Sequence, residues 1–246
     1  MIVEQLTEKF EKRLSDFVLT IRNLLGDNLK SIILYGSAVR GEFDTKRSDL
    51  NFLVVLDQVD YSHLALLAPH IRRWSRKRIS TPLVLSPQYI STALDVYPLE
   101  FLEMQSSKRV LFGEDVLANI QPPPLSVRRQ CEQEARGKLL HLREILLETG
   151  LKPRYLKQAM ILSVPSFMRI GRHVLQYLGK TGKVHAREVI EELRYTTQLS
   201  LRGLEAAWTL KTGERKASRA EIAGLFESYL NDTADMTKFV DTMQAQ

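Results

Sequence analysis

The stretch Leu34-Tyr35-Gly36-Ser37-Ala38-Val39-Arg40-Gly41-Glu42-Phe43-Asp44-Thr45-Lys46-Arg47-Ser48-Asp49-Leu50-Asn51-Phe52-Leu53-Val54-Val55 decides the fold. It begins inside the run Lys30-Ser31-Ile32-Ile33-Leu34-Tyr35, whose apolar and β-branched residues read as a buried strand. Gly36-Ser37 breaks that strand, Ala38 to Gly41 suits a helical turn, and Glu42 to Ser48 is a polar loop. Leu50 to Leu56 is almost wholly apolar, the pattern of a strand near the middle of a sheet. Glycine at position 36 lets a phosphate approach the backbone closely, and the Ser37 hydroxyl can donate to it. Exposed amides in the following turn favour anions, and Arg40 and Ser48 complete a candidate phosphate-binding set. Asp49 and Asn51 are two residues apart on the second strand, so they share a face at the edge nearest the turn.

Upstream, Val3, Leu6, Phe10, Leu14, Phe17, Ile21 and Leu24 recur at threes and fours, which predicts an amphipathic helix over 3–25 stopped by Gly26-Asp27-Asn28. Downstream, 62–78 reads as a helix with Pro69 as a kink or boundary. Leu83-Val84-Leu85 reads as a third strand, 90–94 and 99–104 as short helices, and Arg109 to Phe112 as a last strand. Gln121-Pro122-Pro123-Pro124 is a stiff extended connector, because consecutive prolines neither continue a helix nor pair centrally in a sheet. Beyond it the pattern is helical over roughly 126–149, 153–179, 185–193, 196–212 and 218–244, with a kink expected at Pro165. The expected organisation is therefore an α/β domain with a mixed sheet over 1–120, a proline linker at 121–124, and an all-α helical-bundle domain over 125–246.

Composition narrows the classes. The 246 residues are 44% hydrophobic and 26% charged, ordinary values for a globular protein with a real core. No apolar run approaches the ~20 residues that span a bilayer, and the charged N-terminus lacks the apolar core of a secretory signal. Cys131 is the only cysteine, which excludes an intramolecular disulfide and a cysteine-based zinc site, and a cytoplasmic location is expected. The net charge of +6 favours anionic partners such as nucleotide or RNA. The densest basic run, Arg72-Arg73-Trp74-Ser75-Arg76-Lys77-Arg78, reads first as a solvated helix end.

With these elements in place, the segment 31–56 resembles the nucleotidyltransferase superfamily typified by DNA polymerase β. Its signature is Gly-Ser, a spacer, then acid-hydrophobic-acid on the next strand; Gly36, Ser37 and Asp49 match, and Asn51 stands where the second acid belongs. The helical tail makes the kanamycin-type bacterial nucleotidyltransferases the best comparison. The resemblance implies transfer of a nucleotidyl group from a nucleoside triphosphate to an acceptor hydroxyl. It also implies two Mg2+ ions held by the paired acids and a third acid on a neighbouring strand. Magnesium prefers charged oxygen ligands, whereas Asn51 offers only an amide oxygen and Thr81 to Ser86 contains no carboxylate. Asp95 and Glu100, which follow that strand, read as helix-start acids. Asp49 is thus the one clear catalytic carboxylate, and Asp49 with Asn51 makes a weakened metal site. A pseudoenzyme that binds nucleotide is the reading this supports.

Two alternatives stay open: an active magnesium-dependent transferase acting on a small hydroxylated acceptor or RNA, and a nucleic-acid-binding or regulatory module without nucleotide chemistry. In the helical half, Glu132, Glu134, Arg136, His141 and Arg143 are the candidates for acceptor contacts or a base. Arg136 and His141 also fit the loose Arg-x4-His pattern of helical RNases, a spacing that chance readily produces. The stripes Phe167, Ile170, Val174, Tyr177, Leu178 and Leu201, Leu204, Trp208 are expected in the core, and His173 and His185 have no partner at metal spacing.

Overall fold

Two adjacent strands rich in apolar residues on both sides need cover on both faces, and the N-terminal unit supplies it. The structure, a computed structural model, describes residues 2–39, 49–180 and 185–243. The chain forms two compact units, Met1–Pro122 and Pro123–Gln246.

The first unit runs α1 (Ile2–Leu25), β1 (Leu29–Tyr35), β2 (Asn51–Leu56), α2 (Tyr61–Leu67), α3 (Ile71–Arg76), β3 (Leu83–Leu85), α4 (Pro87–Thr92), α5 (Pro98–Ser106) and β4 (Lys108–Gly113). The strands form a sheet in the order β3-β2-β1-β4. β1 pairs antiparallel with both β2 and β4, while β2 and β3 are parallel, so the sheet is mixed. Leu50, Phe52, Val54 and Leu56 join Ile32 and Leu34 in a core covered by Leu14, Phe17 and Ile21 of α1. Phe17 stacks on Phe52 with ring centroids 4.0 Å apart, and Trp74 tilts against Phe17 at 4.9 Å. On the opposite face Ile33, Leu53 and Val55 pack with Leu85, Ile90, Phe101 and Met104. Burial on both faces is why the strands read as continuous apolar runs rather than alternating ones.

The stretch 62–78 is divided, as Pro69 suggests: a 3-10 turn at Ala68–His70 separates α2 from α3, because proline removes a donor from the ladder. The short helices begin earlier than their apolar residues indicate. Pro87 and Pro98 open α4 and α5 in the first turn, where no amide is missed, and Ser86 caps α4 by accepting from the Tyr89 amide at 3.1 Å.

The second unit is helical throughout its named elements: α6 (Pro124–Thr149), α7 (Pro153–Tyr177), α8 (Ala186–Thr197), α9 (Arg202–Thr212) and α10 (Arg219–Thr242). Pro124 lies in the first turn of α6, and α7 is one helix across Pro165. The break expected between the helices 185–193 and 196–212 lies later, between Thr197 of α8 and Arg202 of α9, with Gln198 at φ 60° and Leu201 at φ 50°. No glycine marks this break. Arg194 holds it, donating to the carbonyls of Ser200 at 2.7 Å and Leu201 at 3.2 Å and pairing with Glu205 at 2.6 Å. In the core, Phe167 meets Tyr229 edge-on at 5.8 Å, and the Tyr229 hydroxyl bonds Ser163 at 2.8 Å. Cys131 is fully buried, and burial pushes its thiol up to about 12. Among the described residues no helix is long and apolar enough to cross a membrane.

α9 lacks a capping side chain of its own, and α10 provides one. The buried Asp232 carboxylate accepts from the Leu204 amide at 2.9 Å, and burial raises its pKa although the Leu204 and Gly203 amides oppose the rise. Asp232→Ala strands these donors and is expected to cost about 2 kcal/mol in urea unfolding, against under ~1 kcal/mol for Asp232→Asn, which keeps an acceptor. Equal losses for the two variants would show that the carboxylate charge, not the cap, matters.

Candidate functional site

β1 and β2 end together, with Tyr35 opposite Asn51. The chain leaves β1 through Gly36, whose φ of +87° is a region that suits glycine. Its amide donates to the Ser107 carbonyl at 2.9 Å, and its carbonyl accepts from the Val39 amide at 3.0 Å, closing a turn over 36–39. The Gly36 amide is therefore already used; what this glycine offers a ligand is close approach. A Cβ at position 36 would lie 3.3 Å from Asn51 Nδ2, so the amide of Asn51 faces the turn. Ser37 lies half-buried in that turn. Arg40 and Ser48 lie outside the described residues.

Asp49 and Asn51 flank Leu50, which is fully buried in the core under α1. Strand alternation puts both flanking residues on the opposite side, the side of Leu53 and Val55. The segment after α3 runs alongside them. Leu50 pairs in parallel with Ile79, the Leu50 amide donates to Arg78 O at 2.8 Å, and the Ser80 amide donates to Leu50 O at 3.0 Å. Arg78, at φ 59°, brings its guanidinium to 3.7 Å from the Asp49 carboxylate, with both side chains about half exposed. The Ser80 hydroxyl donates to Asn51 Oδ1 at 2.9 Å and also lies 3.1 Å from Leu50 O. Asn51 thus turns its oxygen to Ser80 and its NH2 toward Gly36. Tyr35, the cross-strand neighbour of Asn51, has its hydroxyl pKa raised by burial.

The described residues of the site fit magnesium poorly. The ion takes oxygen ligands at about 2.0–2.1 Å in an octahedron. The Asp49 carboxylate faces a guanidinium, and the amide oxygen of Asn51 accepts from Ser80. Asp95 is exposed in the turn after α4, and Glu100 lies in the first turn of α5. Among the described residues no group of three His, Cys, Asp or Glu side chains is placed to hold a metal.

Arg78 and Ser80 went unnoticed in the sequence. Arg78 closes the basic run read as a solvated helix end, and for most of that run the reading suits the structure. Arg72, Arg73 and Arg76 are exposed, Trp74 is buried, and Lys77 pairs with Asp16 at 3.2 Å. The available signal was Ile79, a single apolar residue following five basic ones, which marks where the chain re-enters the sheet.

Most candidates of the helical unit are engaged in ion pairs within that unit. Glu132 binds Arg128 at 3.3 Å and Arg136 at 2.8 Å, and Arg136 also reaches Asp241 at 3.1 Å. Glu134 binds Arg169 at 2.6 Å, and His141 lies 3.6 Å from Glu144 in solvent. Arg136 and His141 therefore have separate partners, and Arg143 is exposed. His173 is buried, its pKa lowered to about 4 first by burial, and His185 precedes α8 on the surface.

A mixed sheet clad by helices on both faces, followed by a helical unit, is consistent with a nucleotidyltransferase fold. The chain is similar to the spectinomycin adenyltransferase of Enterococcus faecialis, solved with ATP and spectinomycin. The TM-score is 0.53 at 12% identity, over 91% of this chain and 99% of that one. At that identity the likeness is one of fold. No family model matches the sequence, and no curated protein matches it.

Proposed function

We propose that this chain binds a nucleoside triphosphate at the Gly36 turn and that nucleotidyl transfer is impaired or absent. The observation carrying the proposal is the amide of Asn51 against the Gly36 turn, in the position where the resemblance calls for a second acid. The similar fold of an adenyltransferase solved with ATP supports nucleotide as the ligand class. Gly36, Ser37, Arg40 and Ser48 are the proposed phosphate contacts, with Asp49 the remaining catalytic carboxylate. A cytoplasmic setting, where triphosphates abound, suits this reading.

Transfer needs cations that neutralise charge on the leaving pyrophosphate and help activate the acceptor hydroxyl. Near a protein surface a unit charge 4 Å from its opposite is worth about 4 kcal/mol. One missing carboxylate therefore weakens metal occupancy by roughly a thousandfold. Binding survives such a change better than turnover, because the triphosphate carries much of its own polar surface.

The test is pyrophosphate release from labelled ATP or GTP by purified protein, with magnesium, cell extract as a source of acceptors, and spectinomycin as a defined one. Release at the no-enzyme background, together with calorimetric nucleotide binding, is the expected result. Magnesium-dependent release would instead make the chain an active transferase on a small hydroxylated acceptor or RNA. Failure to bind nucleotide, combined with steeply salt-dependent binding to generic RNA, would favour a nucleic-acid module.

A further inference from the structure

We propose that this site takes the phosphates of a nucleotide without a divalent cation, the Arg78 guanidinium standing in for the metal's charge and Asn51 Nδ2 adding a neutral donor. The inference rests on the nucleotide-binding reading above.

Three observations carry it. The first is that the backbone fixes Arg78 to the site. Its carbonyl accepts from Leu50 at 2.8 Å, its own amide donates to Ser75 O at 3.0 Å, and Ser80 closes the bridge back to Leu50 at 3.0 Å. The arginine therefore sits in register with Asp49 and Asn51 rather than sampling a loop. The second is the ion pair itself, which sets the guanidinium 3.7 Å from the Asp49 carboxylate and so places its charge at the site. A guanidinium carries five N–H donors in a planar fork that matches phosphate oxygens two at a time. It can meet phosphate while Asp49 steadies it from the other side.

The third observation is the polarity of Asn51. Ser80 holds its oxygen, so the group presented beside Gly36 is a donor. A donor there repels a cation and attracts a phosphate oxygen, the reverse of what a metal ligand does. A magnesium ion bound to Asp49 would also lie close to the Arg78 guanidinium, and like charges would oppose each other across a few ångströms. Departure from the acid-hydrophobic-acid pattern and the presence of an arginine thus work together. Either alone weakens a metal site; combined, they convert it to a site for anions.

Calorimetry on the full chain with ATP, in EDTA and in excess magnesium, tests this. The wild-type dissociation constant is expected to agree within about twofold between the two conditions. Arg78→Gln is expected to weaken binding in EDTA by about tenfold or more, and Arg78→Lys, which keeps the charge but not the fork, by less. Asn51→Asp is expected to weaken binding in EDTA and make it magnesium-responsive. Circular-dichroism melting of each variant separates misfolding from lost contacts, and the wild-type comparison decides even if a variant fails to fold. Binding seen only with magnesium overturns the cation-free inference and leaves the nucleotide reading intact. Binding in neither condition overturns both.

Discussion

Replacing Gly203 with alanine is expected to destabilise the helical unit by about 3 kcal/mol, read as a fall in urea midpoint. Gly203 lies on α9 where that helix crosses α10, and a Cβ there would sit 2.2 Å from the Tyr229 amide nitrogen and 2.3 Å from the Ser228 carbonyl carbon. These are backbone atoms, so no rotamer change relieves the clash. The helices must separate, pulling the Leu204 amide from Asp232 and disturbing Tyr229, which is fully buried. Alanine's better helix propensity returns only about 1 kcal/mol. Gly137 provides the control: on exposed α6 surface with nothing within 4 Å of its Cβ position, Gly137→Ala is expected to stabilise by a few tenths to about 1 kcal/mol. A Gly203→Ala protein as stable as wild type would mean that α9 and α10 do not meet this closely.

The second large effect is an acid-side loss of stability from His173. Burial is the main cause of its lowered pKa, with help from the nearby charges of Arg169 and Arg172, and it titrates at about 4 when folded against 6.5 as a free side chain. The sign follows from proton counting. Above pH 6.5 the ring is neutral in both states and adds nothing. Between 6.5 and about 4 the unfolded chain holds the extra proton, so stability falls as pH falls; below 4 the effect levels off. The full span is worth about 3 kcal/mol. Stability measured from pH 7 to pH 4 is expected to fall less steeply in His173→Phe than in wild type by this amount. Parallel curves for the two proteins would assign the acid sensitivity to other groups.

Much of the fold was legible because its signals are local. The spacing of Phe10, Leu14, Phe17 and Ile21 specified α1, and the apolar runs 30–35 and 50–56 specified two strands buried on both sides. Proline placed the division between α2 and α3. That α8 and α9 are separate helices was legible, but the place where the chain breaks between them was not. It depends on two non-glycine residues in left-handed conformation and on one arginine collecting carbonyls, and neither leaves a compositional mark. At the candidate site, residues 36, 49 and 51 stood out because they are close in sequence and fit one signature. Arg78 and Ser80 come from 27 or more positions away, through a parallel bridge whose partner is chosen by packing of Ile79. Long-range pairing of that kind cannot be read from a single periodicity. The orientation of the Asn51 amide was equally hidden, since only the Ser80 hydroxyl distinguishes its two ends.

The sealed environment of Cys131 has a practical consequence. With its thiol fully enclosed and deprotonating only at about 12, the native sulfur stays inert to maleimides at neutral pH. A cysteine introduced at an exposed position such as Tyr195 then becomes the sole reactive handle, with no need to mutate the native one first. Fluorophores or spin probes can be attached stoichiometrically to an otherwise unaltered chain, so that conformational response to ligand is followed spectroscopically.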